Sequence, residues 1–280
     1  MIRYAIISDI HGNLEALNAV VADIKKQNID RVICLGDIIS KGSHGHECIE
    51  VVKRICDAVV RGNNDVKFAK SLDEIALDGA LDYDEFLWMQ KQLTREDISY
   101  LRSLPMCCEF NLSGRLVRCF HATADDTGKS IFNFDGYGEK LDLFYPTQYT
   151  TKNNADVVVY AHSHFAGYEK LFGYTLINAG SVGNVLNVIT NAELNNPHIS
   201  EFTMAEYVIL SGEDGLNKTD ISIEFRQVEY DKHKELGGFN YPPQKEVYEK
   251  EIVHGEYMYP ERVNQSLQKN GINIGDIRQN

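Results

Sequence analysis

Asp9 and His11 stand two residues apart just beyond the apolar run Tyr4 to Ile7. On a strand that spacing turns both side chains to one face, and the carboxyl ends of strands are where open α/β sheets bind ligands. The same ending recurs along the chain. Arg31 to Leu35 leads to Asp37, Ala58 to Val60 to Asn63, Arg115 to Phe120 to His121, and Asp156 to Tyr160 to His162 and His164. His162 and His164 are again two apart. One histidine in such a place is more often a surface or core residue than a ligand. Five strand ends that terminate alike point instead to one shared metal site, because chance would scatter these residues over strands and helices.

The residue types narrow the chemistry. Four imidazoles, two carboxylates and one amide, with no thiolate, suit borderline first-row divalent ions better than calcium or a structural zinc knot. Seven ligands exceed the needs of one ion and fit two that share a bridging carboxylate. Two ions about 3.5–4 Å apart clamp the attacking and leaving oxygens of a phosphoryl displacement and acidify a bridging water.

The elements that must hold these residues follow from periodicity. Tyr4 to Ile7 reads as a buried strand; Gly12 turns the chain, and Asn13 caps a helix carrying Leu14, Leu17, Val20, Val21 and Ile24 at helical spacing. A second helix carries Ile49, Val52 and Ile55. Helical crossovers between short strands imply parallel, right-handed β-α-β-α-β pairing. Helical patterns over Asp84 to Leu93 and after Thr94 serve packing. Met106 to Leu112 and Arg115 to Phe120 form a hairpin about Ser113-Gly114, and the irregular stretch from Ala122 to Ala155 is placed to cover the site. Another hairpin turns at Gly173, and Tyr174 to Ile177 leads into Asn178-Ala179-Gly180-Ser181-Val182-Gly183. Asn184 to Glu201 reads as a loop, and Tyr207 to Leu210 with Ile221 to Val228 as a last β pair. After Gly237-Gly238 and Pro242-Pro243, one or two surface helices are expected over Lys245 to Gln268. The division expected is a domain over 1–230 and a helical C-terminal extension over 231–280.

Composition sets the outer bounds. With 280 residues, 43% hydrophobic and 25% charged, the chain has the makeup of an ordinary globular protein. A formal charge of −13 disfavours extended nucleic acid, which needs a basic track. None of the six cysteines forms a C-x-x-C pair, so buried free thiols in a reducing compartment are expected. No apolar run approaches membrane-spanning length and no signal peptide precedes the first strand; the expected location is the cytoplasm, away from membranes.

The motif set Asp9-Ile10-His11, Gly36-Asp37, Gly62-Asn63-Asn64-Asp65, His121 and Ala161-His162-Ser163-His164 resembles that of the calcineurin-like metallophosphoesterases. Order and spacing agree over roughly residues 1–183. Ser8 to Leu17 and Asn178 to Gly183 look most like the small bacterial and archaeal phosphodiesterase branch. The resemblance implies an α/β fold, a four-layer α/β/β/α sandwich with two mixed central β-sheets. It implies that Asp9, His11 and His164 hold one metal, Asn63, His121 and His162 the other, and that Asp37 bridges them. Many relatives have histidine where Asn64 stands, a residue able to protonate the leaving group; an amide cannot. Ala161 and Ala179 replace a common Gly and Pro.

Around this set, Lys41 and His44 follow the bridging Asp37 on a loop and are expected to contact substrate phosphate; Asp65 either orients a ligand or caps a helix. Cys119 reads as core. The function expected is a phosphoesterase using two divalent first-row transition metal ions (Mn, Fe, Zn or Ni, with Mn favoured). A metal-bridging hydroxide would attack a small phosphodiester or nucleotide-like phosphate. The rivals are a non-catalytic protein-binding scaffold with degenerate ligands, and a nuclease on the same metals; all seven ligands are present, and a basic groove segment is not.

Overall fold

Alternation along the strands sorts the side chains into layers. In β1 (Ile2–Ile7), Ile6 faces one way and Ala5 and Ile7 the other, all fully buried. Because both faces are apolar, hydrophobicity alone leaves the register open. Backbone pairing sets it: Tyr4 lies opposite Arg31 and Ile7 opposite Cys34 of the parallel strand β2 (Arg31–Cys34). The computed structural model describes residues 1–71, 74, 83–132, 134–185, 203–254, 268–269 and 271.

Two five-stranded mixed sheets result. In the first, β1 is flanked by β2 and β3 (Ala58–Val59) in parallel. On its other side lies the antiparallel pair β9 (Ala205–Gly212) and β10 (Ser222–Val228), giving the order β10-β9-β1-β2-β3. The second sheet comprises β4 (Cys107–Leu112), β5 (Arg115–Phe120), β6 (Val157–Tyr160), β7 (Gly167–Leu171) and β8 (Tyr174–Asn178), ordered β4-β5-β6-β8-β7. Here β5, β6 and β8 run parallel while β4 and β7 are antiparallel edges.

The sheets pack face to face through Ile6, Ile33 and Val60 from one side and Val117, Val159 and Ile177 from the other. Outside the first sheet, Ala5, Ile7 and Cys34 meet Leu17 and Val20 of α1 (Leu14–Ile24) and Ile49 and Val52 of α2 (Gly45–Ile55). Outside the second, Phe120, Val158 and Tyr160 pack on Leu143 and Phe144, just after α6 (Tyr137–Asp142). Each such fully buried aliphatic side chain contributes roughly 1.5–3 kcal/mol. The layers form an α/β/β/α sandwich with two mixed central sheets, as the resemblance implies.

The remaining described helices are α3 (Asn63–Phe68), α4 (Tyr83–Gln90), α5 (Arg95–Ser103), α7 (Lys232–Gly237) and α8 (Pro242–His254). Asn13 caps α1: its Oδ1 accepts the Ala16 N–H at 3.0 Å. Thr94 caps α5, its Oγ1 accepting the Asp97 N–H at 3.1 Å. All six cysteines are unpaired, Cys119 fully buried between the sheets. Of the segments expected from sequence, most of the Asn184–Glu201 loop and the helical pattern beyond His254 fall outside the described residues. Among those described, no helix is long and apolar enough to cross a membrane.

Candidate metal centre

The parallel strands of both sheets deliver their carboxyl ends to one place. Ligand atoms of Asp9, His11 and His164 lie within 4.8 Å of one another, as do those of Asp37, His121 and His162. The two groups adjoin. His11 Nε2 lies 3.6 Å from Asp9 Oδ1 and 3.8 Å from Asp37 Oδ2. His121 Nε2 is 3.5 Å from Asp37 Oδ2 and 3.0 Å from Asn63 Oδ1. Asp37 Oδ2 thus stands between an imidazole of each group.

The route by which the pairs reach this point differs from the expected one. Strand β1 ends at Ile7 and β6 at Tyr160, and the ligands beyond them are not extended. Asp9, His11, Asp37, His162 and His164 have φ of 51°, 53°, 50°, 65° and 62°. Left-handed turns, rather than the period-two pleat, aim both members of each pair. Asp is among the residues that tolerate this region best, His less so, yet each such residue costs on the order of 1 kcal/mol. Backbone bonds offset it. The N–H groups of Asp9, His11 and Gly12 donate to the carbonyls of Gly36, Asp37 and Ile38 at 3.0, 2.9 and 2.9 Å. Gly62 lets the third loop approach: a Cβ there would lie 2.1 Å from Asp37 Oδ1.

The far atoms of His121, His164, Asp9 and His162 are occupied, which fixes their near atoms. His121 Nδ1–H donates to the Leu35 carbonyl at 2.9 Å, and His164 Nδ1–H to the Asn184 carbonyl at 2.5 Å. Asp9 Oδ2 accepts the His162 N–H at 3.2 Å. His162 Nε2 meets Ser130 Oγ at 3.2 Å, leaving Nδ1 inward, 3.2 Å from His121 Nε2. Among the described residues, His11 Nδ1 is buried without a partner. Such outer contacts orient metal ligands and set their tautomer.

The inward atoms are acceptors that face acceptors. As neutral rings with Nδ1 carrying the proton, the state in which they can bind a metal, His164 and His121 present Nε2 lone pairs. They face Asp9 Oδ1 at 3.1 Å and Asn63 Oδ1 at 3.0 Å. Asp9 Oδ1 is fully buried and takes no hydrogen bond. Buried acceptors so opposed need positive charge between them, a second proton or a metal ion, and this donor set fits divalent first-row metals. With no ion bound, the electrostatics draw a proton into that place instead. Burial works against ionisation of Asp9, but His164 and His121 hold its carboxyl well below the usual range. Burial likewise opposes a charge on His121, yet Asp37 and Asp9 push its pKa up to about 9. Burial and the His121 charge bring His162 down to about 4, so its ring is neutral near pH 7.

Asp65 performs both tasks weighed for it. Its carboxylate accepts the N–H of Asp37 at 2.8 Å and of Ile38 at 3.0 Å, fixing the Asp37 loop, and that of Gly62 at 2.9 Å at the start of α3. Burial and the neighbouring Asp37 charge raise its pKa to about 7.

A cavity of about 510 Å³ opens over His11, Asp37, Asn63, His162 and His164. Asn64 lines it, but its side-chain amide donates to Asp37 Oδ2 at 2.6 Å and its N–H to Oδ1 at 2.8 Å. Lys41 lines it too, its Nζ donating to Glu251 Oε2 at 2.6 Å. His44 is not among the lining residues; its Nδ1 lies 3.5 Å from Glu235 Oε1 on α7. The adjacent Glu235 carboxylate raises the His44 pKa against its burial. Ser130 and Phe132, from the stretch after His121, and Glu251, from α8, carry no ligand-type motif in the sequence.

Residues 2–192 match the calcineurin-like phosphoesterase superfamily domain. An uncharacterized protein of Methanocaldococcus jannaschii is 32% identical over 235 residues, 82% of this chain and 88% of that one. A crystal structure of a metallophosphoesterase from Sphaerobacter thermophilus superposes with a TM-score of 0.65 at 22% identity, covering 91% of this chain and 99% of that one. One of a hypothetical protein from Pyrococcus horikoshii does so with a TM-score of 0.71 at 18% identity, covering 91% and 99%.

Proposed function

The chain belongs to the calcineurin-like phosphoesterase superfamily, and from that premise we propose that it is a metal-dependent phosphoesterase acting on a small phosphodiester or nucleotide-like phosphate. One observation carries the reading: the side chains of Asp9, His11, Asp37, Asn63, His121, His162 and His164 turn buried acceptor atoms on one another beneath an open cavity. Asp9, His11 and His164 would hold one ion, Asn63, His121 and His162 the other, with Asp37 shared. Two divalent ions, manganese by preference, supply positive charge for the phosphoryl oxygens and lower the pKa of a water.

The chain's own groups do the rest. Asn64 holds the Asp37 carboxylate through two hydrogen bonds, of 2.8 and 2.6 Å. It has no proton to give the leaving oxygen. Lys41 presents an ammonium at the cavity wall, where a phosphate oxygen binds. The ligand is a small ester rather than a polymer: the formal charge of −13 repels extended nucleic acid. The expected setting is the cytoplasm, with no membrane partner.

The test is reconstitution. Chelator-stripped protein should lose hydrolysis of an aryl phosphodiester such as bis(4-nitrophenyl) phosphate and regain it with manganese. Hydrolysis unchanged after exhaustive chelation would refute the reading.

A further inference from the structure

The family domain ends near residue 192, yet the cavity does not close within it. One wall comes from α8 and the residue before it: Tyr241, Gln244, Val247 and Glu251 line the same space as His11, Asp37 and His164. Residues 244, 247 and 251 are three and four apart, so they share one helical face. On the neighbouring face, fully buried Tyr248 and nearly buried Ile252 pack on Leu236 and Phe239.

This wall is fastened at both ends. Before α8, Trp88 of α4 stacks on Phe239 and Tyr241 with ring centroids 5.7 and 5.4 Å apart. The Trp88 indole N–H also donates to Asn240 Oδ1 at 2.8 Å. At the far end, Glu251 is 1% exposed, and its Oε2 accepts from Lys41 Nζ at 2.6 Å and Asn184 Nδ2 at 3.1 Å. The Asn184 carbonyl in turn receives the Nδ1–H of His164. Removing one partner of a buried ion pair is strongly destabilising, so Glu251 latches the helix to the loops that carry the ligands. A wall held this way gives the cavity a fixed width.

We propose that α8 is the substrate-selecting wall of the metal centre and that Val247, half-buried on its cavity face, sets the size of the organic group admitted beside the phosphate. The occupant is a phosphate ester with a compact organic substituent, received in the cavity that Phe132 and Phe165 also line. This rests on the phosphoesterase reading. Val247 hydrogen-bonds to no ligand and is not in the buried core, so its replacement leaves the fold and the metals in place.

The experiment uses the full chain loaded with manganese, with Val247→Trp and Val247→Ala as a pair. Calorimetry reads binding of inorganic phosphate, the small probe, and of phenylphosphonate, a non-hydrolysable probe with an aryl group. Kinetics read kcat/KM for bis(4-nitrophenyl) phosphate and methyl 4-nitrophenyl phosphate. Val247→Trp should weaken phenylphosphonate binding, and kcat/KM for the diaryl ester relative to the methyl ester, by about tenfold or more, with phosphate affinity within about twofold of wild type. Val247→Ala should shift the ester ratio the other way. Wild-type selectivity kept by both variants, in a protein that binds phosphate and hydrolyses the esters, overturns this inference and leaves the phosphoesterase reading standing. Wild-type protein that binds neither probe and hydrolyses neither ester overturns both.

Discussion

Replacing Asp37 by Asn removes one charge from the centre while keeping its shape. The backbone tolerates the change: Asp37 sits at φ 50°, where Asn is also at home, and its N–H still reaches Asp65. The charge is central because Asp37 Oδ2 is 3.5 Å from His121 Nε2 and 3.8 Å from His11 Nε2, one imidazole from each group. A unit charge about 4 Å from another is worth about 4 kcal/mol at an effective dielectric near 20, which is about 10³-fold in affinity. Asp37→Asn should therefore strip both ions, whereas His11→Ala removes a neutral ligand and should weaken mainly one. Metal analysis after manganese loading and gel filtration reads the outcome directly, with the thermal midpoint as a check on folding. Asp37→Asn protein that retains two ions and near wild-type turnover would refute the bridging role.

Two further outcomes are expected. Because Asn64 is a hydrogen-bond donor to Asp37 with no acidic proton, turnover should fall steeply as leaving-group pKa rises, and Asn64→His should help an alkyl ester more than a nitrophenyl ester. General-acid assistance typically supplies about 10²–10⁴-fold, so equal wild-type rates on both esters, with chemistry rate-limiting, would reveal an acid elsewhere. Away from the site, His46 Nδ1 lies 2.7 Å from Asp97 Oδ2. That hydrogen bond raises the His46 pKa above 6.5 against its burial, with Glu47 and Glu50 assisting. A raised folded-state pKa stabilises fully below the unfolded value and is lost as pH climbs through the folded one. His46→Gln should thus lower the melting temperature at pH 6 and leave it nearly unchanged at pH 9; equal shifts at both pH values would remove the charge–charge account.

Much of this was legible because buried parallel strands are short apolar runs whose ends are sharp. Arg31 to Leu35 and Asp156 to Tyr160 stop abruptly, and the polar residue after each stop is conspicuous. Asn13 and Thr94 announced their helices through local capping chemistry, which depends on a few adjacent residues. Less legible were features decided at long range. Nothing in Tyr207 to Leu210 says that β9 will pair antiparallel with β1, some two hundred residues earlier in the chain. The partner of Lys41 is Glu251, 210 positions on, in a helix whose sequence is rich in Lys and Glu throughout. His44 shows the same from the other side: it follows Asp37 closely in sequence, but α7 brings Glu235 to it.

The period-two rule for Asp9 with His11 and for His162 with His164 reached the correct convergence by the wrong geometry, and the reason is physical. An extended strand end would present its two side chains on one face, about two residues of rise apart. Left-handed residues at both positions curl the chain instead, so that Asp9 Oδ1 and His11 Nε2 come within 3.6 Å. Five such residues carry unfavourable backbone energy of several kcal/mol in sum, which neighbouring loops offset by pairing: Gly183 N–H with the Asp9 carbonyl at 2.9 Å, Gly42 N–H with that of His11 at 2.7 Å. The centre is therefore held by loops from both sheets acting on one another. Asp9 joins them most directly: its backbone bonds Gly36, its Oδ2 receives the His162 N–H, and its Oδ1 is left facing the imidazoles.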